Sequence, residues 1–240
     1  MSAPKGAASI SALQLPSPSV VVGDTMRDSN GVVVPLTLLA FDGTNNLIAD
    51  APAQFFFTDS TTAARLTVQN LLVGDKIGTV HIIGQIGSLQ TPVVNVPVTF
   101  LPVAISLVGQ PDTAHPTTFA DSAASYGFST VVTRVTSAAD SGSQGIIVRY
   151  RIVSAPKPRD GATVPTAFFV DDGGKPASTD TTDATGKASR RIAIFPKSIA
   201  DADVLQGKKV DSAIVEMSAS YRGNLLRGSP VTVVVRILAK

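Results

Sequence analysis

The sequence predicts an all-β chain built as two tandem sandwich domains, and three observations point there. First, residue types that favour strands dominate: Val and Thr are abundant, whereas Glu, a common helix residue, occurs once, at Glu216. Second, short alternating apolar runs are separated by turn chemistry, with 16 Pro and 19 Gly to supply it. Third, the pattern repeats. Residues 76–100, KIGTVHIIGQIGSLQTPVVNVPVTF, read as an alternating strand, a Gly-containing turn, a small polar residue with Pro, and a Val-rich strand. Residues 211–238, DSAIVEMSASYRGNLLRGSPVTVVVRIL, repeat that order. A chain of 240 residues has room for two modest cores. The repeat divides it into 1–101 and 102–240, joined near Leu101-Pro102.

The first domain opens after a small polar lead-in with a strand at 10–15, ended by Pro16 and Pro18, and a short extended piece at 19–22. Residues 23–24 and 28–31 carry turn chemistry. Residues 32–41, VVVPLTLLAF, read as one strong strand, with Pro35 marking an edge or a bulge because Pro donates nothing to the ladder. A turn at 42–46 follows, then a strand at 53–58 whose Phe55-Phe56-Phe57 run is buried on at least one face. A short strand at 65–68 and a turn at 73–75 lead into the hairpin. There Val80, Ile82, Gly84 and Ile86 share one face, as in a half-buried antiparallel strand.

The second domain has longer loops. Residues 109–126 read as a loop, 127–135 as a strand and 137–145 as a polar turn. Residues 146–153, IIVRYRIV, alternate so that Arg149 and Arg151 face water. A loop at 154–165 precedes a strand at 166–170 containing Phe168-Phe169. Residues 171–182 read as a second polar loop, 188–195 as a strand and 197–205 as a short helical turn. The closing hairpin puts Val215, Met217, Ala219 and Tyr221 on one face.

Few residues are candidates for chemistry. The absence of Cys removes disulfides, thiolate zinc sites and cysteine nucleophiles. The two His, His81 and His115, make a poor metal set and read as ordinary surface residues. Asp140-Ser141-Gly142 matches the nucleophile segment of chymotrypsin-like proteases but lies in a Ser-rich turn without a matching His and Asp in order. Gly186-Lys187 matches the end of a phosphate loop, yet Ala188 replaces the required Ser or Thr. The acidic stretch with Asp171, Asp172, Asp180 and Asp183 could offer oxygens to calcium, although no EF-hand spacing is present. A sugar platform would need exposed aromatics. The chain has no Trp, its tyrosines are Tyr126, Tyr150 and Tyr221, and the paired Phe runs read as core. The expectation is therefore no catalytic residue, no cofactor and no metal site. A net charge of +2 with scattered basic residues speaks against nucleic acid, and no apolar run is long enough for a transmembrane helix.

Residues 182–194, TDATGKASRRIAI, taken with 215–221 and the Pro-Val strand, resemble bacterial immunoglobulin-like repeats of the invasin and intimin type. Those repeats carry a Thr-Asp-x-x-Gly-x-Ala turn, an alternating strand, and a Val-x-Val-x-Ala strand that runs to a Gly turn. The first domain follows the same order at 40–42, 48–52, 55–57 and 78–84. Two departures stand out. Arg190 occupies a place where the pattern has an aliphatic residue, and the first domain lacks the Thr-Asp-x-x-Gly turn. The resemblance implies two tandem immunoglobulin-like sandwiches and a non-catalytic structural or adhesive module of a bacterial surface or secreted protein. It implies an extracellular or cell-surface setting and a protein or glycan partner, with no membrane insertion by this stretch. Two alternatives stay open: a carbohydrate-binding accessory module of a secreted enzyme, and a self-assembling subunit of an extracellular or virion-associated filament.

Overall fold

The computed structural model describes residues 7–48, 51–60, 62–118 and 124–239. The chain is all-β and folds as two compact units. Unit 1 comprises residues 1–102 together with 143–146 and 221–224; unit 2 comprises 103–142, 147–220 and 225–240.

Unit 1 contains β1 (Ser9–Gln14), β2 (Val20–Val21), β3 (Thr37–Phe41), β4 (Gln54–Phe57), β5 (Ala64–Leu66), β6 (Leu72–Gly74), β7 (Gly78–Ile86), β8 (Leu89–Gln90) and β9 (Val94–Thr99). Its main sheet runs β2-β9-β7-β4, with β8 beside β7. The predicted hairpin is present: β7 and β9 pair antiparallel from Gly78↔Val98 to Ile82↔Val94. Val80, Ile82 and Ile86 are buried on the face the alternation selects. They pack with Leu13 of β1 and Leu38 and Ala40 of β3 in one core. Gly84 lets Leu38 pack close, because a Cβ on it would lie 2.5 Å from Leu38 Cδ2 and force that side chain to shift.

Two sequence expectations change in this unit. The strand expected over 32–41 begins only at Thr37. Pro35 has no amide to pair, and Leu36 donates its amide to the carbonyl of Asn70 outside any strand. Of the turn expected at 73–75, Val73 and Gly74 belong to strand β6, and the bend into β7 lies at 76–77; the strand expected at 65–68 ends at Leu66, where a turn at 67–71 leads to its partner Leu72. Val68 therefore belongs to the turn and is almost fully exposed.

Unit 2 contains β10 (Ala104–Leu107), β11 (Thr117–Thr118), β12 (Ala124–Ser125), β13 (Gly127–Thr136), β14 (Ile147–Ser154), β15 (Ala167–Val170), β16 (Thr179–Thr181), β17 (Lys187–Ile194), β18 (Asp211–Tyr221), β19 (Asn224–Leu225) and β20 (Val231–Ile237). One sheet runs β10-β13-β17-β15. The other runs β16-β14-β18, with β20 on the far side of β18. The inner faces meet: Tyr150 of β14 lies 5.6 Å from Phe169 of β15, ring centre to ring centre. Val131, Val135, Ile192 and Ile194 from one sheet and Val148, Val215, Met217 and Val235 from the other are fully buried. A short 3-10 turn (Pro196–Ser198) and a one-turn helix α1 (Ala202–Leu205), capped by Asp201, fill the stretch expected to be helical.

The loops expected at 109–126 and 171–182 contain strands. β11 pairs with β12 around residues 119–123, which lie outside the described residues. β16 pairs with β14. β11, β12 and β16 are two- or three-residue strands in which Ala124 is the one apolar residue, so no apolar alternation marks them.

One local motif recurs through both units. At 28–32, 42–46, 67–71, 137–141, 171–175 and 183–187 the first residue's amide donates to the fifth residue's carbonyl, and the fourth residue's amide donates back to the first. The fourth residue is Gly31, Asn45, Asn70, Asp140, Gly174 or Gly186, each with φ between 58° and 84°. The first residue is Asp, Thr or Ser, and its side-chain oxygen accepts the fifth residue's amide. This is a three-residue hairpin loop with a left-handed closing residue. The first domain lacks the Thr-Asp-x-x-Gly sequence but has the same turn geometry, written with different residues at 28–32 and 42–46.

Candidate binding surface

The outer face of the β10-β13-β17-β15 sheet carries an exposed aromatic cluster. Phe128 of β13 and Phe168 of β15 both stand opposite Ala193 of β17, so they occupy one row across three neighbouring strands. Ala193 is 1% exposed and forms the floor between the two rings. Tyr126, just before β13, completes the cluster. Its ring centre is 5.9 Å from Phe128, 5.7 Å from Phe168 in an edge-on contact, and 5.0 Å from Phe195, on which it stacks. Tyr126 and Phe128 nevertheless remain 41% and 44% exposed.

Arg191 lies two residues before Ala193 on the same face of β17, with its guanidinium carbon 4.9 Å from the centre of the Phe128 ring. Its Nη2 reaches the carbonyls of Asp171 and Asp172 at 3.4 Å, at the limit of a hydrogen bond. Its buried Nε has no hydrogen-bond partner. Among the described residues no carboxylate lies within ion-pair distance of it.

Sequence reasoning assigns the Phe runs to the core. Phe55 and Phe169 are indeed buried, but Phe56 and Phe168 alternate outward, as period 2 demands. The signal for the surface cluster is present in that alternation. What the sequence hides is the register that aligns Phe128 with Phe168 through Ala193, and the fold-back that brings in Tyr126 and Phe195. The other two tyrosines take no part. Tyr150 is buried between the sheets, where burial pushes its hydroxyl pKa far up. Tyr221 donates its hydroxyl hydrogen to Asp24.

The sequence marks Asp24 only as a turn residue, yet in unit 1 it is 7% exposed and anchors a charge cluster. Its Oδ2 accepts from Arg27 Nε at 2.9 Å and Arg222 Nε at 2.8 Å, and its Oδ1 from Arg27 Nη2 and the Thr25 amide. Burial alone would raise its pKa. The donors from Arg27, Arg222, Tyr221 and Thr25 outweigh that and hold it well below the usual carboxylate range. This is a satisfied buried charge with a structural use.

The remaining candidates are placed as follows. His81 Nδ1 lies 2.7 Å from an Asp59 carboxylate oxygen at the surface. His115 Nδ1 lies 2.8 Å from the Leu238 carbonyl, which fixes the ring as a donor there. Asp140 and Ser141 belong to a hairpin turn, and Gly186-Lys187 to another. The acidic stretch does not converge. Asp171 and Asp183 each spend an oxygen on their own turns, while Asp180 accepts from the Ser189 amide and pairs with Arg190. Among the described residues no group of three or more His, Cys, Asp or Glu could hold a metal ion.

No protein-family model matches the chain, and no curated protein matches it. Solved structures do. Domains 4 and 5 of the S-layer protein SbsC align over 97% of this chain and 99% of that one, at 12% identity and a TM-score of 0.35. The Yersinia pseudotuberculosis adhesin InvE aligns over 95% of this chain and 60% of that one, at 16% identity and a TM-score of 0.36. A glycoside hydrolase family 2 β-glucuronidase aligns over 90% of this chain and 20% of that one, at 16% identity and a TM-score of 0.30. These likenesses are too distant to assign a role, which has to come from the residues of this chain.

Proposed function

We propose that the chain is a non-catalytic structural or adhesive module of a bacterial cell-surface or secreted protein, formed by two immunoglobulin-like domains over 1–101 and 102–240. The observation that carries this reading is the segment 182–194. Its Asp183 caps a turn closed by Gly186 in the left-handed region, and the strand that follows points Ala188, Ile192 and Ile194 into the core. That is the arrangement implied by the resemblance to bacterial immunoglobulin-like repeats. The use of acidic groups supports it as well. Asp28, Asp42, Asp171 and Asp183 cap their own turns, and Asp24 and Asp180 pair with arginines. Carboxylates committed in this way hold loops and sheets in place.

Two measurements test the reading. Antibody raised against the chain should label intact cells of the source bacterium or its culture medium. Labelling confined to permeabilised cells overturns the surface assignment. The purified chain should also leave panels of aryl glycosides and esters unhydrolysed, and turnover above a boiled control overturns the non-catalytic assignment.

A further inference from the structure

We propose that the Tyr126–Phe128–Arg191 face of unit 2 binds a glycan carrying carboxylated sugars. The inference deepens the adhesive reading by naming the chemistry of its partner. It starts from cost. Two rings more than 40% exposed, beside two more aromatic rings on one sheet face, leave apolar surface in water. Tyr126 and Phe128 lie side by side with their ring planes 38° apart. Tyr126 is stacked on Phe195 and Arg191 lies over Phe128, so the contact surface is the part of the two rings that these neighbours leave exposed. Their floor, Ala193, is buried and cannot move away. Such a surface suits a partner that stacks a flat, partly apolar ring on it, with polar groups at the ring's rim.

The neighbouring backbone narrows the choice. An extended peptide would gain most of its affinity by adding a strand to the sheet edge. The edge beside Phe168 is closed, because Val170 bridges Pro176 and the Ala177 amide donates to the Phe169 carbonyl. The face therefore offers side chains alone, and a saccharide binds through those.

Charge selects the kind of saccharide. Arg191 is stacked on Phe128, which pre-orients its planar fork, and no carboxylate pairs with it among the described residues. With Nε buried and Nη2 donating to the Asp171 and Asp172 carbonyls, Nη1 is left to meet a carboxylate, and the unpaired positive charge attracts one. The opposing charge nearby is Asp172, in the loop whose carbonyls touch Arg191. The carboxylate of Asp171, beside it, accepts from the Lys175 amide. Neutralising Asp172 should strengthen binding of an acidic sugar.

The test is calorimetric titration of the full chain with oligogalacturonate, its neutral methyl ester, and an acidic Glu-Phe peptide. Oligogalacturonate should bind, and its affinity should fall as salt rises. Phe128→Ala and Tyr126→Ala should each weaken it about tenfold or more. Arg191→Gln should erase the preference for acid over ester while leaving ester binding in place, and Asp172→Asn should tighten the acid. Phe128 and Asp172 are exposed, so their variants carry the test even if Tyr126→Ala or Arg191→Gln unfolds; a melt of each confirms folding. The proposal is overturned if neither sugar binds, if binding survives all these substitutions, or if the peptide binds more tightly than the sugar. It is also overturned if sedimentation shows a dimer that Phe128→Ala dissociates, since the face would then be occupied by a second copy. A failed titration leaves the cell-labelling result untouched, so the two readings fail separately.

Discussion

Arg190 shows how one residue can break a pattern without breaking the fold. Alternation along β17 places it on the inner face with Ala188 and Ile192, where an aliphatic residue is expected. The strand is central, between β13 and β15, so neither an edge position nor a slipped register explains it. The structure accommodates it with a partner from the opposite sheet: Arg190 Nη1 lies 3.2 Å from Asp180 Oδ1, and the guanidinium also donates to the carbonyls of Ser189 and Thr179. Removing one partner strands the other's charge in a half-buried place. Asp180→Ala should therefore cost about 2–3 kcal/mol, between the values for exposed and fully buried pairs. Combining Asp180→Val with Arg190→Leu should cost less than Asp180→Ala alone. Urea melts of these variants and of the single Asp180→Val and Arg190→Leu decide this, and a double variant equal to the sum of those two singles refutes the coupling. Asp42 makes a second point at this scale. Bonds from the Asn46 amide and from the Thr44 hydroxyl and amide lower its pKa from the ordinary 3.8 to about 2. A depressed carboxylate stabilises the fold above its unfolded pKa and is lost as pH falls through its folded one. Asp24 and Asp183 shift the same way. Stability should thus decline as pH drops from about 4 towards 2. Carbon-detected titration should place the Asp42 midpoint near 2. A midpoint at the ordinary value would mean that the turn does not hold its carboxylate in solution.

At the scale of the element, the five-residue turn is the common part of this protein. Its requirements are local: an oxygen at the first position to accept backbone amides, and a left-handed residue at the fourth. Gly meets the second requirement without strain, whereas Asn and Asp meet it at a small cost. Gly186→Ala should accordingly lower stability by about 1 kcal/mol. Asn45→Gly should stay within about 0.5 kcal/mol of the native chain, because relieved strain offsets added chain entropy. Thermal melts that reverse this order would show that the turn's conformation is imposed from outside. These turns are legible in the sequence wherever Gly closes them next to a strong strand. At 67–71 the signal is Thr and Asn, and the apolar residues around them draw the expected strand boundary to the wrong place. The strands at 117–118, 124–125 and 179–181 are not legible at all, because a short polar strand is defined by its partner.

For the whole molecule, the notable fact is that unit 1 is discontinuous in sequence. Its buried Asp24 takes two of its donors, Tyr221 and Arg222, from nearly 200 positions away. A fragment of residues 1–102 keeps Arg27 and the Thr25 amide but loses those two. In that fragment the Asp24 carboxyl should titrate closer to the ordinary value than in the full chain, and the fragment's stability should fall by less as pH drops below about 4. Equal Asp24 midpoints in the two forms would show that the distant donors contribute nothing.

The all-β class, the β7–β9 pairing and the buried faces of the long strands can be read from the residues alone. Those features follow from period-2 alternation and turn chemistry, which act over a few residues. Tertiary structure decided the placement of every charge and ring that matters here. Asp24 with Arg222, Asp180 with Arg190, and Tyr126 over Phe128, Phe168 and Phe195 come together through sheet register and chain return. Burial of the inner faces selects that register, and the outer-face residues are carried into place with it.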